Sequence, residues 1–157
     1  MTKNIETLIY EISLRVRLFM TSKRAGNPEL DLTDRECLLL ELIGMREKMS
    51  ISQISKLCPT VSNSTISTTI TGLWKDRNFV DKKILPENQR ITIVSLTAQG
   101  KRILSEIKRS QSEVYKTIAQ SLNLSPEQDE YFKAFIENAI GFFNNKLGFK
   151  MELIESV

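Results

Sequence analysis

The 157-residue sequence contains no histidine and two cysteines. Without histidine it lacks the commonest general base of enzyme active sites and the commonest metal-ligating side chain. Cys37 and Cys58 do not make a disulfide framework, and with no histidine to join them they are too few for a zinc site. No stretch approaches the ~18 apolar residues of a membrane span. The N-terminus has no charged-then-apolar-then-small pattern, so no signal peptide is expected and the expected compartment is the cytoplasm. There is no Gly-rich phosphate loop and no nucleophile–base constellation. An enzyme is therefore disfavoured, and neither cofactor nor metal is expected. Asn63-Ser64-Thr65 matches a glycosylation sequon, but without a secretory signal it carries no weight.

What is present is ordinary in amount and unusual in placement. The chain is 41% hydrophobic and 26% charged, enough apolar material for the core of one domain. The net charge is +3. Ser50 to Arg102 holds eight Lys or Arg against three Asp or Glu, a net of +5, while the remainder holds 14 against 16. Positive charge concentrated in the middle third points to a local polyanion contact; a solvated basic face is the plainer reading of charge alone.

Ile5, Leu8, Ile9, Ile12, Val16, Phe19 and Met20 fall at steps of three and four, predicting an amphipathic helix from about Lys3 to Ser22, ended by Gly26-Asn27-Pro28. Thr33 and Glu36 form a capping box. The helix they open carries Leu38, Leu39, Leu40, Leu42 and Ile43, apolar on most of its surface and expected in a core. Ser50 and Gln53 open a second, short helix that stops at Cys58-Pro59, where proline restricts the preceding residue.

After a Thr60-Val61 turn, Ser62 caps a helix running to about Arg77. Ile66, Ile70 and Leu73 share its core face; at ~100° per residue the opposite face carries Ser64, Thr68, Thr71 and Lys75, with Ser67 beside them and Asn63 at the N-terminus. Seven Ser or Thr lie between Ser62 and Thr71. An ordinary solvent face would carry better helix formers. Small hydroxyls suit close approach to a phosphate backbone and to base edges, and the Thr methyl suits thymine. The plain alternative is a merely polar, weakly helical segment. Asn78 follows as a left-handed cap. β-Branched runs on either side of Pro86-Glu87-Asn88-Gln89 predict a hairpin from Phe79 to Leu96 whose tip presents Asn88, Gln89 and Arg90. Beside a helix in a major groove, Arg90 would suit the adjacent minor groove.

From Thr97 the helical period returns. Ile103, Ile107, Gln111, Val114 and Ile118 stripe a long helix ending near Leu122, and Ser125-Pro126-Glu127-Gln128 starts another bearing Phe132, Phe135, Ile136, Ala139, Ile140, Phe143 and Leu147. A small winged unit cannot bury all these terminal stripes, so dimerisation through them is expected.

The order of elements, with Leu32-Thr33, Ser62 to Thr65, Asn78-Phe79-Val80, Pro86-Glu87-Asn88-Gln89-Arg90 and Val94-Ser95-Leu96-Thr97-Ala98-Gln99-Gly100, resembles the MarR (multiple antibiotic resistance regulator) family of bacterial transcriptional regulators over nearly the whole chain. The resemblance implies one domain over 1–157, mainly α with a small β-hairpin wing. Residues 32–100 would be a winged helix-turn-helix, 97–122 a long connecting helix, and 1–26 and 120–157 dimerisation helices. It implies a homodimeric repressor that binds double-stranded DNA at a palindromic operator and is released by a small-molecule effector of unknown identity. The sequence departs from the family pattern where Asn88 replaces the usual wing aspartate, where the recognition helix has no basic residue before Lys75, and in a Cys58–Val61 turn about one residue longer.

The candidate DNA contacts are Ser62, Thr65 and Lys82 or Lys83 on phosphates, Asn63, Ser64, Ser67, Thr68, Thr71 and Lys75 along the helix, and Asn88 and Arg90 on the wing. The alternative function is a winged-helix protein–protein module with weakened DNA binding. Cys37 reads as a buried small hydrophobe; Cys58, at a helix end, is the better candidate for an exposed redox-sensing thiol.

Overall fold

The computed structural model describes residues 3–24 and 26–147. The parts of the expected dimerisation segments at residues 1, 2, 25 and 148–157, and the side chains of Arg24 and Leu147, lie outside the described residues. Helix α1 spans Ile5–Arg24, and a 3-10 turn at Pro28–Leu30 leads to α2, Asp34–Gly44. A two-residue strand β1, Met49–Ser50, precedes α3, Ile51–Leu57, and α4, Asn63–Lys75. Strands β2, Val80–Leu85, and β3, Asn88–Leu96, form the hairpin, followed by α5, Ala98–Ser121, and α6, Pro126–Leu147. The fold is mainly helical with a small antiparallel sheet, as expected.

The helix starts follow local chemistry. The capping boxes Thr33/Glu36 and Ser50/Gln53 are both closed in each direction. Ser125 and Gln128 exchange the same pair of bonds at the head of α6, at 3.3 and 2.9 Å. Asn78 takes the left-handed conformation, φ 55°, that lets the chain leave α4 for β2.

Two features differ from the sequence expectation. The sheet has three strands in the order β1-β3-β2, because Met49 and Ser50 pair with Val94 and Ile93. The turn between β2 and β3 is tighter: Leu85 pairs with Asn88, leaving Pro86 and Glu87 as the tip, with an irregularity at Ile84/Leu85. Asn88, Gln89 and Arg90 are therefore the first residues of β3, not the tip.

The core lies where α2, α3, α4, α5 and the sheet meet. Ile66, Ile70 and Leu73 of α4 are fully buried with Leu39, Leu40 and Ile43 of α2, Ile54 of α3, and Phe79, Val80, Val94 and Ile103. Leu38 does not join them; it is 45% exposed, since α2 is covered on one side only. Gln111, the polar member of the α5 stripe, donates from Nε2 to the Glu41 carboxylate of α2 at 2.7 Å.

The end of α4 is tied to the start of α5. Thr97 Oγ1 donates to the Asn78 carbonyl at 2.7 Å, the Thr97 N–H donates to the Phe79 carbonyl at 3.1 Å, and Gly100 N–H donates back to Thr97 Oγ1 at 3.0 Å. The backbone at Gly100 approaches so closely that an added Cβ would lie 1.9 Å from the Phe79 oxygen. Only glycine fits.

Helix α1 packs on α5, with Lys23 and Glu113 3.5 Å apart. Much of the apolar surface of α1 and α6 remains uncovered. Ile5, Ile9 and Leu18 on α1, and Tyr131, Phe135 and Phe143 on α6, are each more than half exposed. Among the described residues no helix is long and apolar enough to cross a membrane.

Candidate nucleic-acid interface

The outward side of α4 begins at Ser62, whose Oγ accepts the Thr65 N–H at 3.2 Å and lies 3.0 Å from Ser64 Oγ and 2.8 Å from Thr65 Oγ1. Ser62, Asn63, Ser64 and Thr68 are exposed, while Thr65, Ser67 and Thr71 are half-buried along the same side. The threonine hydroxyls are not simply outward donors. Thr68, Thr69 and Thr71 donate to the carbonyls of Ser64, Thr65 and Ser67 at 2.8–2.9 Å. Their protons are held by the helix, so Thr68 and Thr71 present oxygen lone pairs and methyl groups. That chemistry matches base-edge amino donors and the thymine methyl better than it matches phosphate oxygens, which only accept.

Five of the cations sort into two groups. Arg77 donates to the backbone carbonyls of Pro28 and Asp31 at 3.4 and 2.9 Å, Arg102 pairs with Glu29 and Glu106 at 2.8 and 3.1 Å, and Lys83 lies 3.4 Å from Asp81. These hold the scaffold or neighbouring carboxylates. Lys75 and Lys82 converge instead on Trp74, with their ammonium groups 5.5 and 5.7 Å from the ring centroid. Lys82 also donates to Thr71 Oγ1 at 3.4 Å. Trp74 is 37% exposed. Each cation–π contact is worth about 0.5–1 kcal/mol at an exposed site. Together they order two long side chains beside α4, lowering the entropy lost when either meets an anion. Lys82 and Lys83 thus separate: Lys82 stands against α4, and Lys83 is on the other side of the strand with Asp81.

Arg90 is exposed, and the amide at Asn88 acts on its backbone: Asn88 Oδ1 accepts the Arg90 N–H at 3.1 Å. Arg90 lines a shallow cavity of about 250 Å³ with Ser52, Ser55, Asn63 and Thr92. It therefore borders the start of α4 across α3, while Asn88 lies further out along the wing. Cys58 is 8% exposed and Cys37 4%. The exposure expected for Cys58 is not found, because its side chain closes the core under the α3–α4 turn; burial pushes its thiol pKa up.

No protein-family model and no curated protein matches this sequence. Solved structures do. FabT from Streptococcus pneumoniae, in complex with DNA, superposes with a TM-score of 0.73 at 19% identity, over 89% of this chain and 96% of that one. A mutant MarR from E. coli complexed with operator DNA gives 0.64 at 15% identity, over 86% and 92%. BpsR from Bordetella bronchiseptica, described with regulation of its DNA binding by 6-hydroxynicotinic acid, gives 0.62 at 16% identity, over 87% and 98%. This chain has the MarR fold.

Within the MarR fold of this chain, Ser62, Ser64, Thr65 and Thr68 occupy the first half of α4, Thr71, Lys75 and Lys82 gather at Trp74, and Asn63 and Arg90 share one cavity. Lys83 and Asn88 stand apart from these clusters. Trp74 is the functional candidate that periodicity missed. It falls beside the core residue Leu73, and only the packing of β2 against α4 brings Lys82 onto its ring. A solitary aromatic next to Lys75 was the available signal.

Proposed function

We propose that the chain is a homodimeric, sequence-specific regulator of transcription that places α4 in the major groove of double-stranded DNA. The observation that carries this reading is the outward side of α4. A helix with a fully buried face turns small hydroxyl groups and methyls outward, and it is flanked by two cations ordered on Trp74. Such a surface fits closely against base edges and has no evident use in stability. Ser62 and Thr65 at the helix start, with Lys75 and Lys82, position on phosphates; Ser64, Ser67, Thr68 and Thr71 face base edges; Arg90 reaches the backbone or minor groove beside the start of α4. The DNA complexes of FabT and MarR support the direction of this reading. The uncovered faces of α1 and α6 support a homodimer, whose twofold axis would match a palindromic operator. Repression, relieved by a small ligand that remains to be identified, is the mode we assign, and the cytoplasm the compartment.

Fluorescence anisotropy tests this on duplexes from the gene's own upstream region against scrambled duplexes, at several salt concentrations. Binding ~10³-fold tighter to one upstream duplex, and falling steeply with salt, is the expected result. Weak, equal and salt-insensitive binding would instead favour a winged-helix protein–protein module, a reading suggested by the absence of any basic residue in α4 before Lys75.

A further inference from the structure

The side of α4 away from Trp74 faces α2 across an open groove of about 490 Å³. Its walls are Arg35 and Glu36 on α2 and Ser64, Thr65 and Thr68 on α4. We propose that Arg35 contacts a DNA phosphate on the α2 side of the recognition helix, opposite Lys75 and Lys82. This deepens the DNA-binding reading and rests on it.

Three observations carry the assignment. Arg35 is exposed and, among the described residues, makes no ion pair, unlike Arg102 and Lys83, and it lacks the backbone-carbonyl partners that hold Arg77. Its neighbour Glu36 does not pair with it: the Glu36 carboxylate is turned back onto the Thr33 N–H at 2.7 Å and the Thr33 hydroxyl at 2.8 Å. Helix stability does not account for a cation there either. Arg35 sits in the first turn of α2, where the helix dipole disfavours positive charge.

Geometry supplies the partner. A major groove is about 12 Å wide and bounded by a phosphate backbone on each side. A helix lying in it meets one backbone on each flank. On the wing flank this chain offers Lys75 and Lys82; on the α2 flank Arg35 is the cation that lines the groove beside Ser64 and Thr68. A guanidinium is the side chain best suited to a bidentate grip on phosphate. The pair of flanking contacts supplies the charge that the front of α4 lacks.

The test compares wild type, Arg35→Ala and Arg35→Lys by anisotropy on an upstream duplex and on a scrambled duplex, from 50 to 200 mM salt. Arg35→Ala is expected to weaken both duplexes alike, by roughly tenfold or more, and to flatten the slope of log K against log salt by about 1.8, since one phosphate contact is lost from each protomer of the dimer. Arg35→Lys should recover most of the slope, and the melting temperature of either variant should be unchanged. Arg35→Ala with wild-type affinity and slope would overturn the assignment while leaving DNA binding intact. So would a loss confined to one sequence with the slope unaltered. A wild-type protein that binds neither duplex would overturn the DNA-binding reading, and this contact with it.

Discussion

Replacing Gly100 by alanine would put a methyl group 1.9 Å from the Phe79 carbonyl oxygen and 2.8 Å from its carbon. Ordinary contact needs about 3.4 Å or more, and the obstacle is backbone, which no rotamer change removes. To make room, α5 must shift away from the α4–β2 connection. That shift loosens the Thr97 bonds to Asn78 and Phe79, worth about 1 kcal/mol each. Overpacking adds about 1–3 kcal/mol, and the better helix propensity of alanine returns about 1 kcal/mol. The net is a loss of about 2–4 kcal/mol, which for a chain of this size lowers the melting temperature by roughly 5–15 °C. Gly72→Ala is the matched control. It is also helical, but its added Cβ meets nothing nearer than Asp76 Oδ2 at 3.7 Å, so it should raise the melting temperature by a few degrees. Circular dichroism melts at one fixed protein concentration measure both, the concentration being held because a dimer's melting depends on it. A Gly100→Ala protein melting within about 2 °C of wild type would refute the claim that this close approach holds α4 and α5 together.

The sequence has one tryptophan, and it lies under Lys75 and Lys82, so adding duplex DNA should change its emission; an unaltered spectrum at saturation would remove Trp74 from the interface. Arg90→Ala, at an exposed site, should weaken DNA binding at fixed salt by roughly tenfold with no change in melting, and equal affinity would dismiss its role. Ile9→Glu or Phe135→Glu should turn a dimer into monomers in sedimentation velocity, since a charge would enter an apolar face. Cys58 should react with iodoacetamide only slowly at pH 7.5. Its burial keeps the thiol protonated in the folded chain, so its contribution to stability is complete below about pH 8.5 and is lost as pH rises through the higher folded-state value. Rapid labelling of native protein, or a peroxide effect on DNA affinity that Cys58→Ala abolishes, would contradict this.

How much of this was legible in the sequence depended on how local each feature is. Capping boxes join residues three apart, so Thr33, Ser50 and Ser125 announced their helices correctly, and Asn78 announced its left-handed turn. The buried face of α4 followed from helical period alone. The misses arose from contacts between distant segments. Strand β1 is two residues long and exists because Val94 and Ile93 lie beside it. Cys58 looked exposed because it ends a helix beside a turn, yet the core closes over it. Arg90 moved off the wing tip because the Leu85–Asn88 pairing shortens the turn to two residues. Trp74 and Arg35 became visible only when β2 and α2 were placed beside α4. The direction of the threonine hydroxyls on α4 is a rotamer fact, which residue type alone does not specify.

The knot of Asn78, Thr97 and Gly100 has a mechanical consequence. It ties the end of α4 by direct hydrogen bonds to the start of a 24-residue helix, about 36 Å long at 1.5 Å per residue. A tilt of about 5° at that joint carries the far end of α5 by about 3 Å, and the motion runs equally well in reverse. A contact at the far end, from a second copy of the chain or a ligand, would therefore bias the pitch of α4. If a dimer sets its two copies of α4 on DNA as proposed, they must stand one DNA turn apart, about 34 Å, and a small displacement at the far end of α5 would then decide whether both can dock at once.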